Sequence, residues 1–310
     1  MRNETEAAES TPDRTGHGDA GDSIDPAATD RVWYLLVLSR PRFWLYLAGP
    51  VLVGIAAAAD TIGELFLPAN AVLFAYFLLP ANVLLYGIND LFDAEIDAEN
   101  PKKDDREIRW QGDRFVLFAV IASGVVGTVL FWLTPPVAWP WLVGFFVLAI
   151  GYSAPPTRFK TTPFLDSLSN GLYILPGAAA YATVAGVQPP ILAVGGAWLW
   201  TMGMHTFSAV PDIEPDRAGG IETTATFLGE RRTYVYCGLC WAAAALAFAP
   251  IDVRLGALLA IYPVFLLWVV RSSVAVDRAY WWFPVLNTFV GTTITIGALA
   301  QIVPVWEVFR

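Results

Sequence analysis

Asn89-Asp90-Leu91-Phe92-Asp93-Ala94-Glu95-Ile96-Asp97 closes a long apolar run and sets oxygen-bearing side chains at helical spacing. On a helical wheel Asn89, Asp93 and Asp97 fall at about 0°, 40° and 80°, and Asp90 at about 100°. Four donors therefore share one face. Carboxylates so close repel one another unless something positive sits among them. An Asp at the bilayer centre costs about 2.5–3.5 kcal/mol, so such residues tend to be functional and partnered. The partner these oxygens suit is a hard divalent cation such as Mg²⁺, which takes oxygen ligands and bridges to phosphates.

A second acidic group follows at Asp212 and Asp216, spaced i,i+4 on one face of a helical turn, with Glu214 pointing elsewhere. Alone it reads equally well as a solvated helix end. Beside the denser first cluster, two groups facing each other across one cavity is the better reading. Metals between facing carboxylates call for a polyanion, and Arg158, Lys160, Lys102, Lys103, Arg106 and Arg217 are available to balance its charge. Singly, each of these bases reads as a residue that orients the chain in a membrane. Together the residues describe a diphosphate site, where cations stabilise charge building on a leaving group. Because the surroundings are Phe, Trp, Leu and Ala, the rest of the substrate should be hydrocarbon. A prenyl diphosphate meets both demands.

The elements that must position these residues are membrane helices. The 310 residues are 56% hydrophobic and 15% charged, with 13 Trp and 19 Phe, and the apolar residues come in blocks near membrane-span length. Nine blocks are expected to span, at about 41–59, 71–90, 114–133, 138–153, 164–185, 191–209, 232–249, 253–270 and 281–303. The fold class is all-α, a polytopic membrane protein, since helices satisfy their own backbone polar groups in lipid. Long loops follow even-numbered blocks and short ones follow odd-numbered blocks. With the long loops and the N-terminus in the cytoplasm, all of the 19 Lys and Arg residues lie inside except Arg254 and Arg310. Both acidic clusters then fall on the cytoplasmic side, and the C-terminus outside.

Residues 1–30 carry eight acidic residues against Arg2 and Arg14 and read as a disordered acidic tail, leaving 31–310 as the transmembrane domain. Residues 31–40 are expected to lie at the membrane interface before the first span. The net charge of −9, with 16 Arg and only three Lys, suggests a salt-loving source, and no nucleic-acid partner is expected. Cys237 and Cys240 form a C-x-x-C inside an apolar block without His nearby, and read as packing residues rather than a redox or zinc pair. His205, just before the second cluster, reads as a packed helix histidine. Glu222, Glu214 and Tyr152 are all open as a general base.

Asn89-Asp90-x-x-Asp93-x-x-x-Asp97, with Asp212-x-x-x-Asp216 some 120 residues on, resembles the UbiA superfamily of intramembrane prenyltransferases. Tyr152-Ser-x-Pro-Pro-x-Arg158-x-Lys160 is similar to that family's loop after the fourth helix. The resemblance covers about residues 35–305. It implies nine helices around a central cavity, two Mg²⁺ ions, and ionisation of an allylic diphosphate before an apolar acceptor attacks the carbocation. Carried over, Asn89, Asp93, Asp97, Asp212 and Asp216 would hold metal, with Asp90 in the same shell. Asn89, Arg42, Lys102, Arg106, Tyr152, Arg158, Lys160 and Arg217 would contact the diphosphate. A third Asp sometimes found four residues after the second is Gly220 here, which leaves fewer protein ligands for one metal.

The loop Asn100-Pro101-Lys102-Lys103-Asp104-Asp105-Arg106-Glu107 lacks the Asn-Arg-Pro-x-Arg-Pro segment of many members that prenylate quinone precursors or glycerol phosphates. It resembles the carotenoid-directed branch of haloarchaeal lycopene elongases. That implies dimethylallyl diphosphate as donor, lycopene as acceptor, water able to quench the cation, and membrane lipid around the whole. Digeranylgeranylglyceryl phosphate synthase is the alternative within the family, then quinone or haem prenylation. An ion-coupled transporter is the alternative outside it, but transporters place charges near the midplane on broken helices rather than at helix ends.

Overall fold

A computed structural model describes residues 26–97, 114–272 and 274–303, and among these there is no strand. Six helices are long and apolar enough to cross a membrane: Pro41–Ala58, Ile62–Phe92, Arg114–Leu133, Pro136–Ser153, Val253–Arg271 and Val276–Ile302. That is fewer than the nine apolar blocks of the sequence. The expected block at 164–185 is broken into Leu165–Ser169, a 3₁₀ turn at Asn170–Tyr173, and Leu175–Ala185. Pro176 opens the last piece, where a missing N–H costs nothing. Ile191–Ser208 and Glu230–Phe248 are continuous helices, but Gly, Thr and His in the first and Glu230-Arg231-Arg232 in the second dilute their hydropathy.

The first described helix runs Pro26–Leu38, so the boundary drawn at residue 30 falls inside it. It does more than lie at an interface, because Leu38 is buried against Val83, Leu84, Ile88 and Val116. Residues 1–25 lie outside the described residues. Cys237 and Cys240 are buried and unbridged, and Cys237 sits in an aromatic core.

Two cores divide the helices. One packs Leu47, Val51, Leu73, Phe77, Leu142, Phe145 and Leu172. The other packs Phe207, Trp241, Tyr262, Leu266, Phe283 and Val290, with the Trp241 and Phe283 ring centroids 5.7 Å apart. Large side chains such as Trp132, Ile191, Leu246 and Val253 point outward, as lipid allows.

Lipid tails are as apolar as a helix face, so close approach at small residues takes over from burial as the glue. Helices Trp44–Ala58 and Leu175–Ala185 meet at Gly54 and Gly177. A Cβ on Gly177 would lie 2.6 Å from the Pro50 carbonyl oxygen, and one on Gly54 would strike the Gly177 carbonyl oxygen. Gly203 similarly admits Trp241, whose Nε1 a Cβ would meet at 2.7 Å.

The ends away from the acidic motifs are closed by short polar ties. Glu64 accepts from the Asp60 and Thr61 amides at 2.7 and 3.1 Å, a capping box at the start of Ile62–Leu65. Gln188 accepts from Trp141 Nε1 at 2.7 Å and donates to the Val137 carbonyl at 2.9 Å, joining two turns. Asp252 caps its helix by accepting from the Arg254 amide, and the Arg254 guanidinium holds the Asp252 carboxyl below its usual range.

Gly177→Val should overpack the Gly54–Pro50 contact and cost about 1–3 kcal/mol, read as a lower thermal unfolding midpoint in detergent. Gly195→Ala, where nothing lies within 4 Å, should be neutral or stabilising. Equal midpoints for the two variants would refute the packing account.

Candidate active site

A cavity of about 760 Å³ opens between the two cores. Its polar end carries Asn89 and Asp90 from the Pro80–Asp97 helix, Asp212 from the turn before Ile213–Ala218, and Arg40 and Arg42 from the turn after the first helix. Its other walls mix rings such as Tyr46, Tyr173, Trp200 and Tyr280 with Leu85, Leu172 and Met204 and the polar Asn170, Thr201 and Ser208. The two acidic motifs, more than a hundred residues apart in the chain, thus contribute to one chamber.

Arg40 is held in the left-handed region at φ 50°, immediately before Pro41, whose ring disfavours right-handed helical backbone in the preceding residue. A non-glycine residue there costs about 1–2 kcal/mol, and such strain gathers at working sites. The turn puts the Arg40 guanidinium 4.6 Å from the Tyr86 ring centroid and 3.7 Å from Asp90 Oδ1. Arg42 lies 3.4 Å from the Trp281 centroid and 5.5 Å from that of Tyr280. These cation–π contacts hold positive charge against the cavity wall without neutralising it.

The segment after Ser153 delivers a second pair of cations. Lys160 Nζ donates to Asn89 Oδ1 at 3.1 Å, and Ser153 Oγ donates to the same oxygen at 2.9 Å. Arg158, at φ 38°, donates from Nη2 to the Phe92 carbonyl at 3.1 Å. Tyr152 lines the cavity, its ring edge-to-face with His205 at 6.0 Å. Of the residues singled out in the sequence, the cavity wall therefore gathers Asn89, Asp90, Asp212, Arg42, Tyr152 and His205, with Lys160 bonded to Asn89.

Asp93 and Asp97 follow Asn89 by one and two turns on the same helix, while Lys102 and Arg106 lie outside the described residues. Asp216 stands on the short helix that begins after Asp212. Arg217 is turned elsewhere. It donates from Nη1 to Glu214 at 3.1 Å and from Nη2 to the Thr226 carbonyl at 2.8 Å, beside a separate hollow that also holds Glu222. Neither it, Glu214 nor Glu222 lines the main cavity.

Among the described residues no three His, Cys, Asp or Glu side chains gather into a preformed metal cluster. The cavity-wall donors of the two motifs, Asn89, Asp90 and Asp212, are amide and carboxylate oxygens. That set fits Mg²⁺, which keeps few protein ligands and completes its shell with phosphate oxygens and water.

Several residues of the site escaped sequence reasoning. Arg40 was visible only as half of Arg40-Pro41-Arg42, since its role depends on the left-handed turn. Asp166 is 1% exposed and accepts from the Thr224 amide at 2.9 Å and from the Thr224 hydroxyl. His205 Nε2 lies 4.0 Å from its Oδ2. A lone carboxylate inside an apolar block was the available signal.

The model of the UbiA prenyltransferase family matches residues 47–298. The chain belongs to this family. This UbiA prenyltransferase is 65% identical over 288 residues to a lycopene elongase/hydratase of Haloferax volcanii, covering 92% of this chain and 96% of the relative. It is 60% identical over 270 residues to a lycopene elongase/hydratase of Halobacterium salinarum, covering 87% and 98%. Its fold matches that of a UbiA homolog from Archaeoglobus fulgidus bound to DMAPP and Mg²⁺, with a TM-score of 0.68 over 87% of this chain and 99% of the other. At 20% identity that likeness shows the fold.

Within the UbiA prenyltransferase the Asp166–Thr224 pair ties the broken 165–185 segment to the region after the second motif. Thr224→Val removes a hydroxyl from a buried carboxylate and should cost about 1–3 kcal/mol. An unchanged unfolding midpoint in detergent would contradict this reading of the pair.

Proposed function

We propose that this UbiA prenyltransferase transfers a dimethylallyl group from its diphosphate to an end of lycopene, with water available to capture the resulting cation. The observation that carries the reading is 65% identity to a lycopene elongase/hydratase over nearly the whole of both chains. The meeting in one cavity of acidic and basic side chains with many aromatic and aliphatic ones supports it.

Asn89, Asp90, Asp93, Asp97, Asp212 and Asp216 are the proposed holders of Mg²⁺. When bound, the metal neutralises charge gathering on the departing diphosphate. The chain's own cations act alongside. Arg42, resting on Trp281, and Lys160, bonded to Asn89, stand at the polar end where diphosphate oxygens would lie. Lys102, Arg106, Tyr152 and Arg158 are the further proposed contacts. Arg217, tied to Glu214 and Thr226, would have to leave both to join them.

The carbon–oxygen bond of the donor breaks with its electron pair going to diphosphate. Rings of the chamber wall such as Tyr46 and Tyr173 would offer their negative faces to the allylic cation. The terminal double bond of the acceptor then supplies the electron pair that forms the new carbon–carbon bond. The tertiary cation left on the acceptor ends by losing a proton or by adding water. An apolar acceptor needs no fixed polar partner, which suits a wall of rings. The phosphate of geranylgeranylglyceryl phosphate would require further cations, and Arg40 is already engaged with Tyr86 and Asp90.

In this reading the chain crosses the membrane nine times, the helices Leu175–Ala185, Ile191–Ser208 and Glu230–Phe248 lying within the bundle around the chamber. The acidic motifs and the basic loops face the cytoplasm.

Purified protein in detergent should move labelled dimethylallyl units to lycopene in Mg²⁺ and lose that activity in EDTA; activity surviving the chelator would sink the metal assignment. Asp93→Ala and Asp212→Ala should each lower transfer by about 100-fold or more, removing direct ligands where outer-shell losses cost about 10–100-fold. Offered lycopene with dimethylallyl diphosphate, or geranylgeranylglyceryl phosphate with geranylgeranyl diphosphate, the enzyme should consume only the former pair.

A further inference from the structure

The chamber wall holds a histidine whose surroundings are unlike those of a packing residue. His205 lines the cavity one helical stretch before Asp212, with its side chain 22% exposed. Its Nε2 faces Asp166 Oδ2 at 4.0 Å, and the edge-to-face contact with Tyr152 fixes the plane of its ring. Asp166 is almost wholly buried and takes both hydrogen bonds from Thr224. Among the described residues His205 is the one basic side chain within 4.0 Å of that carboxylate. A buried carboxylate in weakly polar surroundings stabilises a proton arriving on the neighbouring ring. It also favours the tautomer that carries hydrogen on Nε2 and leaves Nδ1 as an acceptor.

We propose that His205 is the proton acceptor that completes the reaction, with Asp166 as its positioning residue. This rests on the dimethylallyl-transfer reading above. Once the new carbon–carbon bond has formed, the acceptor carries a tertiary carbocation. A water oxygen donates an electron pair to that carbon, the carbon–oxygen bond forms, and one proton of the water passes to Nδ1 of His205. The product is a tertiary alcohol and an imidazolium held against Asp166, and the proton returns to solvent through the polar end of the chamber. Without His205, the cation instead sheds a proton from an adjacent carbon to whatever base is near and leaves as an alkene. Proton acceptance by His205 thus decides between hydrated and unhydrated product.

The test is the product ratio, which remains readable in a slow variant. Wild-type protein, His205→Gln and His205→Ala are incubated with Mg²⁺, dimethylallyl diphosphate and lycopene, and the elongated products are separated into alcohol and alkene. The wild type should give mainly alcohol. In both variants the alcohol-to-alkene ratio should fall by about 100-fold, the lower end expected when a general base is lost. Added imidazole should restore the ratio in His205→Ala and leave that of His205→Gln low. An unchanged ratio in both variants, or a lowered ratio in His205→Ala that imidazole does not move, would overturn the proposal. So would loss of all product together with donor cleavage in both variants, since His205 would then serve ionisation or the fold. If wild-type protein forms no elongated product from lycopene, it is the dimethylallyl-transfer reading that fails.

Discussion

Negative charge at one end of an apolar bundle is the constraint on which this structure turns. Asn89, Asp90 and Asp212 share a chamber whose other walls are largely aromatic and aliphatic, and the positive groups around it are held by specific local devices. Arg40 reaches Asp90 through a left-handed turn before Pro41. Arg42 is parked on Trp281. Lys160 and Ser153 converge on one oxygen of Asn89. Two of the basic side chains come from residues with positive φ, a conformational cost that makes sense where the aim of a guanidinium matters more than backbone ease. The result is one chamber in which acidic, amide and guanidinium side chains stand beside aromatic and aliphatic walls.

The scaffold keeps that chamber open by packing its two halves tightly elsewhere. Gly54 against Gly177, and Gly203 against Trp241, draw helix backbones together where any added carbon would collide. Each half has its own core, and a cavity of about 760 Å³ remains between them. Asp166 and Thr224 tie the broken segment of the middle to the turn that follows the second motif. Through His205 the same pair reaches the chamber wall.

Much of this could be read from the chain. Apolar blocks marked most of the helices, and the helical spacing of Asn89, Asp93 and Asp97 falls on a segment that is helical through Asp97. The pairing of the two motifs, expected from loop lengths and charges, agrees with Asn89, Asp90 and Asp212 lining one cavity. What escaped was non-local or conformational. The break at Asn170–Tyr173 was hidden because Leu, Tyr and Ile keep the block apolar through it. Arg40 depended on one backbone angle. Asp166 and His205 looked unrelated, since 39 positions separate them and only the fold turns one toward the other. The placement of Arg217 at a different hollow likewise followed from Glu214 and Thr226, neither of which announces itself in a motif.

The most direct measurement is a structure of the protein in complex with Mg²⁺ and a non-ionisable dimethylallyl diphosphate analogue. The account predicts the diphosphate at the end of the chamber that carries Asn89, Asp90 and Asp212, the residues that would hold divalent ions there, and the five-carbon tail toward the tyrosine and tryptophan side chains. A diphosphate bound outside this chamber, or bound within it without any divalent ion, would contradict the account at its centre.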